Sequence, residues 1–233
     1  MIRRRHARNV SRMSLMSALL LACSVANAAG DLLDLRRIET LHGDAAAGKT
    51  KATVCGACHG PLGIAPVPLF PNLAGQKAEY LYWRLVAFKR AAKPESPMTA
   101  QVAQLDDASM RDLAAWFASL PPPAAAASAA NDRPARQGET LYRDGNPALG
   151  IPPCQGCHGA GALGHPLADD DARWRVYPAL HGQHAPYLLQ RLKGLGADAS
   201  PLSSSARTMA PIARSLDADS AAAIASWLES GAP

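Results

Sequence analysis

The sequence predicts an all-α protein built from two consecutive, similar halves. Apolar residues recur at helical spacing, and no run of residues shows the alternation typical of a half-buried strand. The same landmark residues occur twice in the same order, and a proline- and alanine-rich stretch beginning at Pro121-Pro122-Pro123 separates the two sets. Consecutive prolines end a helix and favour an extended spacer. We therefore predict two tandem helical domains joined by a linker.

The chain begins with a segment typical of exported proteins. Five arginines lie within the first twelve residues, the apolar run Met13–Val25 follows, and Ala26-Asn27-Ala28 suits a signal peptidase. We predict a signal peptide over residues 1–28, whose apolar run is too short to span a membrane well. Leu20-Leu21-Ala22-Cys23 also resembles a bacterial lipobox, which leaves lipid anchoring at Cys23 as an alternative. Under either interpretation of the leader, we expect the protein to be exported to the periplasm.

The remaining chain divides into a first domain at 29–121, a linker at 122–134 and a second domain at 135–233. Without the five leader arginines, 19 basic residues face 19 acidic ones, so no basic surface remains to bind nucleic acid. Alanine occupies 48 positions and aromatic residues only 5% of the chain. Because alanine buries little apolar area, each domain needs something more to fill its core.

Two pentapeptides indicate what fills these cores and what kind of cofactor the protein carries. They are Cys55-Gly-Ala-Cys58-His59 and Cys154-Gln-Gly-Cys157-His158. A Cys-x-x-Cys pair alone could be a redox disulfide, half of a zinc site or a haem attachment site. The histidine directly after each second cysteine favours haem, because the two thiols can join one porphyrin and the imidazole can bind its iron. We predict two covalently attached haem c groups, with His59 and His158 as iron ligands.

The repeat continues beyond these motifs. Pro71-Asn72-Leu73-Ala74-Gly75-Gln76 matches Pro178-Ala179-Leu180-His181-Gly182-Gln183, and the second half carries an insertion of eight residues before its Gly-Gln. Each half is predicted to contain three helices: one leading into the haem motif, one after Gly-Gln, and a last one that Asp106 or Asp217 can cap. The last helix buries Trp116 in one half and Trp227 in the other.

The sixth iron ligand decides what such a haem can do. Met98 and Met209 hold matching places before the last helix, each beside prolines that would stiffen a loop. We predict that these methionines complete six-coordinate irons, which is typical of electron carriers. Met110 lies inside the last helix and is predicted to be a packing residue. His165, His181 and His184 have no counterparts in the first half, and we interpret them as surface or propionate-contacting residues.

These motifs together resemble the cytochrome c4 family, whose members are exported proteins with two cytochrome c-like haem domains. The resemblance covers about residues 45–230 and implies haem attachment at Cys55, Cys58, Cys154 and Cys157. It implies proximal ligation by histidine and distal ligation by methionine at both irons. It also implies single-electron transfer in the periplasm, often to a terminal oxidase, with peripheral membrane association in some members. The redox partners that we expect are a terminal oxidase, a bc1-type complex or a dehydrogenase. Trp83-Arg84 and Lys193-Gly194 depart from the pattern that the family has in its second helix.

Two other functions compete with a free electron shuttle that is not an enzyme. The chain could be the electron-accepting cytochrome subunit of a periplasmic dehydrogenase. It could also be a dihaem peroxidase or a gas-binding sensor, which would need one iron with an open coordination position.

Overall fold

The computed structural model describes residues 32–91, 96–124, 133–198 and 201–231. The predicted signal peptide, Cys23 and most of the predicted linker lie outside these residues. No helix in the described ranges has the length and apolar character needed to cross a membrane.

The described residues are helical, as expected, and each half contributes five α-helices. In the first half these are α1 (Ala45–Lys51), α2 (Gly56–His59), α3 (Ala78–Ala91), α4 (Pro97–Ala103) and α5 (Asp107–Ala118). In the second half they are α6 (Arg133–Asp144), α7 (Gln155–His158), α8 (Ala185–Ala197), α9 (Ser204–Ser215) and α10 (Ala218–Glu229). Short 3-10 helices lie at Leu35–Arg37, Pro147–Leu149 and Ala172–Val176. Extended pairing in the described residues is limited to isolated bridges.

The last helix of each half begins where the sequence predicts. Asp106 caps α5 by accepting a hydrogen bond from the Ser109 N–H (2.8 Å), and Asp217 caps α10 by accepting from the Ser220 N–H (2.7 Å). Such caps satisfy N–H groups that the helix itself leaves without a partner. The expectation of three helices per half is incomplete, because α4 and α9 form where the sequence suggested loops.

Each half has its own apolar core between its first and last helices. Met110 is buried among the residues of the first core, which confirms its packing role. In the second core Trp227 is buried against Tyr142, with 4.6 Å between the ring centroids. Its counterpart Trp116 is only half-buried, and Lys49 lies over its ring. The second half therefore buries its tryptophan more completely than the first.

Glycines allow the first and last helices of each half to cross closely. A Cβ atom added at Gly48 would lie 2.0 Å from the Asp112 carbonyl oxygen on α5. A Cβ added at Gly138 would lie 2.0 Å from the Ala223 carbonyl oxygen on α10. Backbone atoms cannot move aside as a flexible side chain can, so each crossing depends on its glycine.

We expect Gly138→Ala to destabilise the protein by about 3 kcal/mol, since the added methyl group must separate two packed helix backbones. Gly194→Ala on α8 is the matched control, because nothing lies within 4 Å of the added atom. That control should stabilise the helix by up to about 1 kcal/mol. Urea unfolding of the haem-loaded protein measures both free energies. Equal effects of the two substitutions would contradict the close crossing.

The two Gly-Gln segments dock against each other and join the halves. The Gln183 side chain accepts from the Asn72 N–H (2.8 Å) and donates to the Asn72 carbonyl (2.9 Å). The Gln76 side chain makes the same two bonds to Ala179, at 2.9 and 2.8 Å. The two glutamines thus exchange equivalent hydrogen bonds across an approximate two-fold relation. The first half adds a bond from the Asn72 amide to the Gly182 carbonyl (3.0 Å).

The N-terminal residues of the predicted first domain pack on the second half. The Leu33 N–H donates to the Leu202 carbonyl (2.8 Å), and the Ser204 N–H donates to the Leu33 carbonyl (2.9 Å). The Leu35 N–H donates to the Ser204 hydroxyl (2.9 Å), and both leucines are buried together with Val176. This segment therefore reaches the start of α9, the helix that carries Met209.

The insertion in the second half also contacts the first half. Arg175 pairs with the buried Glu79 carboxylate on α3 at 3.2 Å, and the Leu41 N–H donates to the same carboxylate oxygen (3.2 Å). The three aspartates Asp169–Asp171 lie largely exposed at the surface of this insertion. The insertion thus helps to hold α3 of the first half.

Candidate functional site: two haem attachment motifs

Each Cys-x-x-Cys-His motif folds as one helical turn. The His59 N–H donates to the Cys55 carbonyl (3.0 Å), and the His158 N–H donates to the Cys154 carbonyl (2.9 Å). The turn brings both cysteines and the histidine of a motif close together. The four cysteines are free thiols, and Cys58 is exposed. Burial raises the pKa of the Cys154 thiol to about 11, and it also raises the pKa of Cys55.

In the part of the chain that the structure describes, the two motifs form neither a disulfide nor a shared zinc site. None of the four thiols is paired in a disulfide. Within the described residues, no group of three or more histidine, cysteine or carboxylate side chains is arranged so that these side chains alone could hold a metal ion. The two motifs stay in separate halves, each with its own histidine.

Both histidines are buried and held in the same way. His59 donates from Nδ1 to the Pro71 carbonyl (2.9 Å), and His158 donates from Nδ1 to the Pro178 carbonyl (3.0 Å). A bond of this kind fixes the ring and its tautomer, and it leaves Nε2 with a free lone pair for a metal. Burial lowers the pKa of both imidazoles and so favours their neutral form. Neutral, oriented imidazoles are what an iron ligand requires.

The role of these proline carbonyls was not predicted from the sequence. Pro71 and Pro178 were recognised only as landmarks of the repeat. Their recurrence at the start of each Pro-x-Leu-x-Gly-Gln segment was the available signal. A proline carbonyl is a good acceptor here because the ring fixes the backbone that presents it.

The two methionines lie on helices rather than in loops, which corrects the sequence expectation. Met98 is the second residue of α4, directly after Pro97 at the first helical position. Met209 lies within α9, which contains Pro211 in its interior. Proline suits the first turn of a helix because its missing N–H has no partner there. Pro97 therefore starts a helix. Both methionines are half-buried, on a helix that lies between α3 and α5 in the first half and between α8 and α10 in the second.

A flat apolar group fits the surface beside each motif. Large hydrophobic side chains are exposed in the described residues only in the segments 54–69 and 149–167, which flank or contain the two motifs. They are Val54, Leu62, Ile64, Val67, Leu69, Leu149, Leu163 and Leu167. A porphyrin lying against such side chains removes apolar area from water, which favours binding. The residues present in both halves thus fit a covalently attached haem.

The extra histidines of the second half take part in packing and in contacts between the halves. His165 stacks on Trp174 with 4.1 Å between ring centroids, and Tyr177 lies 5.3 Å away. Burial lowers the pKa of His165. His184 makes a hydrogen bond through Nε2 to the Ala65 carbonyl of the first half (3.0 Å).

Comparisons with known proteins identify the family. The sequence profile described as Cytochrome c matches residues 45–121. Cytochrome c4 of Azotobacter vinelandii is 39% identical over 196 residues, which cover 80% of this chain and 89% of that protein. The crystal structure of reduced recombinant cytochrome c4 from Pseudomonas stutzeri superposes with a TM-score of 0.70 at 34% identity, covering 82% of this chain and all of that one. The thiosulfate dehydrogenase electron acceptor of Thiomonas intermedia is 34% identical over 149 residues, or 64% of this chain and 65% of that protein. The chain therefore belongs to the cytochrome c4 family, as a dihaem electron-transfer cytochrome with covalently attached haem c.

Proposed function

We propose that this protein carries single electrons between respiratory-chain partners in the periplasm, through two irons that each have one histidine and one methionine ligand. Cys55 and Cys58 attach the first haem, and Cys154 and Cys157 attach the second. His59 and Met98 bind the first iron, and His158 and Met209 bind the second. The observation that carries the proposal is the equivalent hydrogen bond from each histidine Nδ1 to a proline carbonyl.

A haem held at each motif would supply one-electron redox chemistry. The protein holds each imidazole in one orientation, so the ligand does not rotate or dissociate when the electron arrives. The apolar residues around each motif exclude water and disfavour the more highly charged ferric state. A thioether ligand favours the ferrous state further. His59 with Met98 and His158 with Met209 would hold the two irons, and these residues would then leave no ligand position for a substrate.

Absorption spectra test the ligation that separates a carrier from a peroxidase or a gas sensor. We expect the ferric protein to show the weak long-wavelength band of a sulfur-to-iron bond, with an intensity that corresponds to two haems. We expect the ferrous protein to bind carbon monoxide slowly or not at all, because the methionine must first leave. A high-spin component, or rapid carbon monoxide binding at one haem, would instead favour the peroxidase or sensor hypothesis.

A second candidate function is that of electron acceptor for a periplasmic dehydrogenase. The similarity to the thiosulfate dehydrogenase electron acceptor of Thiomonas intermedia favours this candidate. The two functions differ in the donor: a dehydrogenase subunit accepts electrons from its own enzyme, whereas a shuttle accepts them from a bc1-type complex and passes them to a terminal oxidase. Reduction kinetics with each purified donor distinguish them.

The proposed location depends on the leader at 1–28, which would direct the chain to the periplasm and then be removed. The comparisons give no support to a lipid anchor at Cys23.

We propose the domains at 29–121 and 135–233, joined by the linker at 122–134, with α6 beginning inside the linker at Arg133. Contact with the membrane would then be peripheral.

A further inference from the structure

One short segment of the first half contacts the supports of both axial ligands of the second haem. Met209 lies on α9, which begins at Ser204, and His158 is held by the Pro178 carbonyl. Residues 33–35, here called the N-terminal strap, contact the start of α9 and also the residues that directly precede Pro178. The strap therefore lies where it can influence both ligands.

The strap fastens the first turn of α9 with three hydrogen bonds. The Leu33 N–H donates to the Leu202 carbonyl (2.8 Å), and the Ser204 N–H donates to the Leu33 carbonyl (2.9 Å). The Ser204 hydroxyl accepts the third bond, from the Leu35 N–H (2.9 Å). The first N–H groups of a helix have no partner within the helix, so the Leu33 carbonyl satisfies one of them from outside. Ser204 is thus held through both its backbone and its side chain.

The leucines of the strap also pack against the segment that leads to the second histidine. Leu33 and Leu35 are 5% and 4% exposed, and they form one apolar cluster with the equally buried Val176. Tyr177 packs against this cluster and directly precedes Pro178. The cluster therefore steadies the backbone whose carbonyl orients the imidazole. Side chains of α3 cover the same cluster, which ties it to the first half.

The helix that carries Met209 depends on its start for support. Pro211 lies in the interior of α9, two residues after the methionine. It has no N–H to donate to the preceding turn, so the helical bonding is interrupted beyond Met209. A helix rises by about 1.5 Å per residue, which places Ser204 about 7.5 Å from Met209 along the axis. Because α9 is continuous between these two residues, a shift of its first turn moves the methionine.

We propose that the N-terminal strap is a positioning element for the second iron, which keeps Met209 in place and so closes that iron to small ligands. The strap belongs to the first half, so one half of the protein controls ligand retention in the other. Met98 lies at the start of its own helix, directly after Pro97, and the effect is confined to the second haem. This inference rests on the proposed ligation by Met209 and adds residues that act through it.

The test measures the rate of carbon monoxide binding to the ferrous, haem-loaded full chain by stopped flow. The methionine must leave before carbon monoxide binds, so weaker support of α9 lowers the barrier. We expect Leu33→Ala with Leu35→Ala to make half of the haem bind about tenfold faster than in the wild type. Ser204→Ala removes one hydrogen bond and should accelerate the same half by about threefold. Leu33→Met with Leu35→Met keeps the apolar volume and should retain the wild-type rate.

Further variants assign the fast half to one iron and control for a general loss of stability. Met209→Ala opens the second iron directly, so adding it to the alanine variant of the strap should recruit no further haem. Adding Met98→Ala instead should recruit the other half. Leu141→Ala is the matched control, because it truncates a leucine that is equally buried in the core of the second half but lies outside the strap cluster. It should keep the wild-type rate.

A wild-type rate in the alanine variant of the strap would overturn this inference alone, provided that Met209→Ala opens its iron. An equal acceleration in Leu141→Ala, or fast binding at both haems of the strap variant, would also overturn it, since general loosening would then explain the result. A wild-type rate in Met209→Ala would mean that Met209 is not an iron ligand. That last result would overturn the proposed ligation and this inference together.

Discussion

Met98→His and Met209→His are each expected to keep a six-coordinate haem but to lower its reduction potential by on the order of 0.1 V, part of the roughly 0.8 V range that axial ligands span. Imidazole is a stronger donor than a thioether and stabilises ferric iron. The long-wavelength sulfur-to-iron band should fall by half in each single variant and disappear in the double variant. Potentiometric titration with spectra at each step measures both effects.

Met110→Leu is the matched control for these variants. Met110 is buried in the first core, and leucine has a similar volume, so stability should change by less than about 1.5 kcal/mol. Neither potential nor band intensity should change in this control. If one methionine variant left the band and the potential of its haem unaltered, that methionine would not be an iron ligand.

The double substitution Cys154→Ala with Cys157→Ala is expected to remove half of the haem from the purified protein. Without thioether bonds the second porphyrin is held by weaker contacts and should be lost during acid–acetone extraction. The intact mass should then show one haem addition where the wild type shows two. Cys55→Ala with Cys58→Ala is the matched control, and it should lose the other haem while leaving the second in place.

Retention of two covalent haems in the first of these variants would contradict the assignment of Cys154 and Cys157. A loss of both haems would mean that the first half cannot mature independently of the second. The potentials of the singly loaded proteins would also assign each titration step to one half.

Much of the protein could be predicted from its sequence because the relevant signals are local. Cys55, Cys58 and His59 lie within one turn, so their spacing alone predicts one attachment site. The repeat of that motif at Cys154 then predicts a second site. Asp106 and Asp217 mark the starts of the last helices because a cap acts only on the three residues that follow it.

The methionine-bearing helices were missed for a local reason as well. Proline was interpreted as a residue that stiffens a loop, whereas Pro97 occupies the first turn of α4, where it needs no N–H partner. Pro211 lies inside α9, a position that sequence rules assign to helix ends. Tertiary packing outweighs such local preferences, so the sequence located Met98 and Met209 in the chain but not on helices.

What the sequence determined by itself was the cofactor, the duplication and the family, because these depend on residue types at short spacing. Only the tertiary structure decided how the halves meet and what holds each histidine. The bonds between Asn72 and Gln183 join residues 111 positions apart, and the Pro71 carbonyl reaches His59 through a loop. Neither periodicity nor motif spacing encodes such contacts, since they form only when the loops and helices have packed.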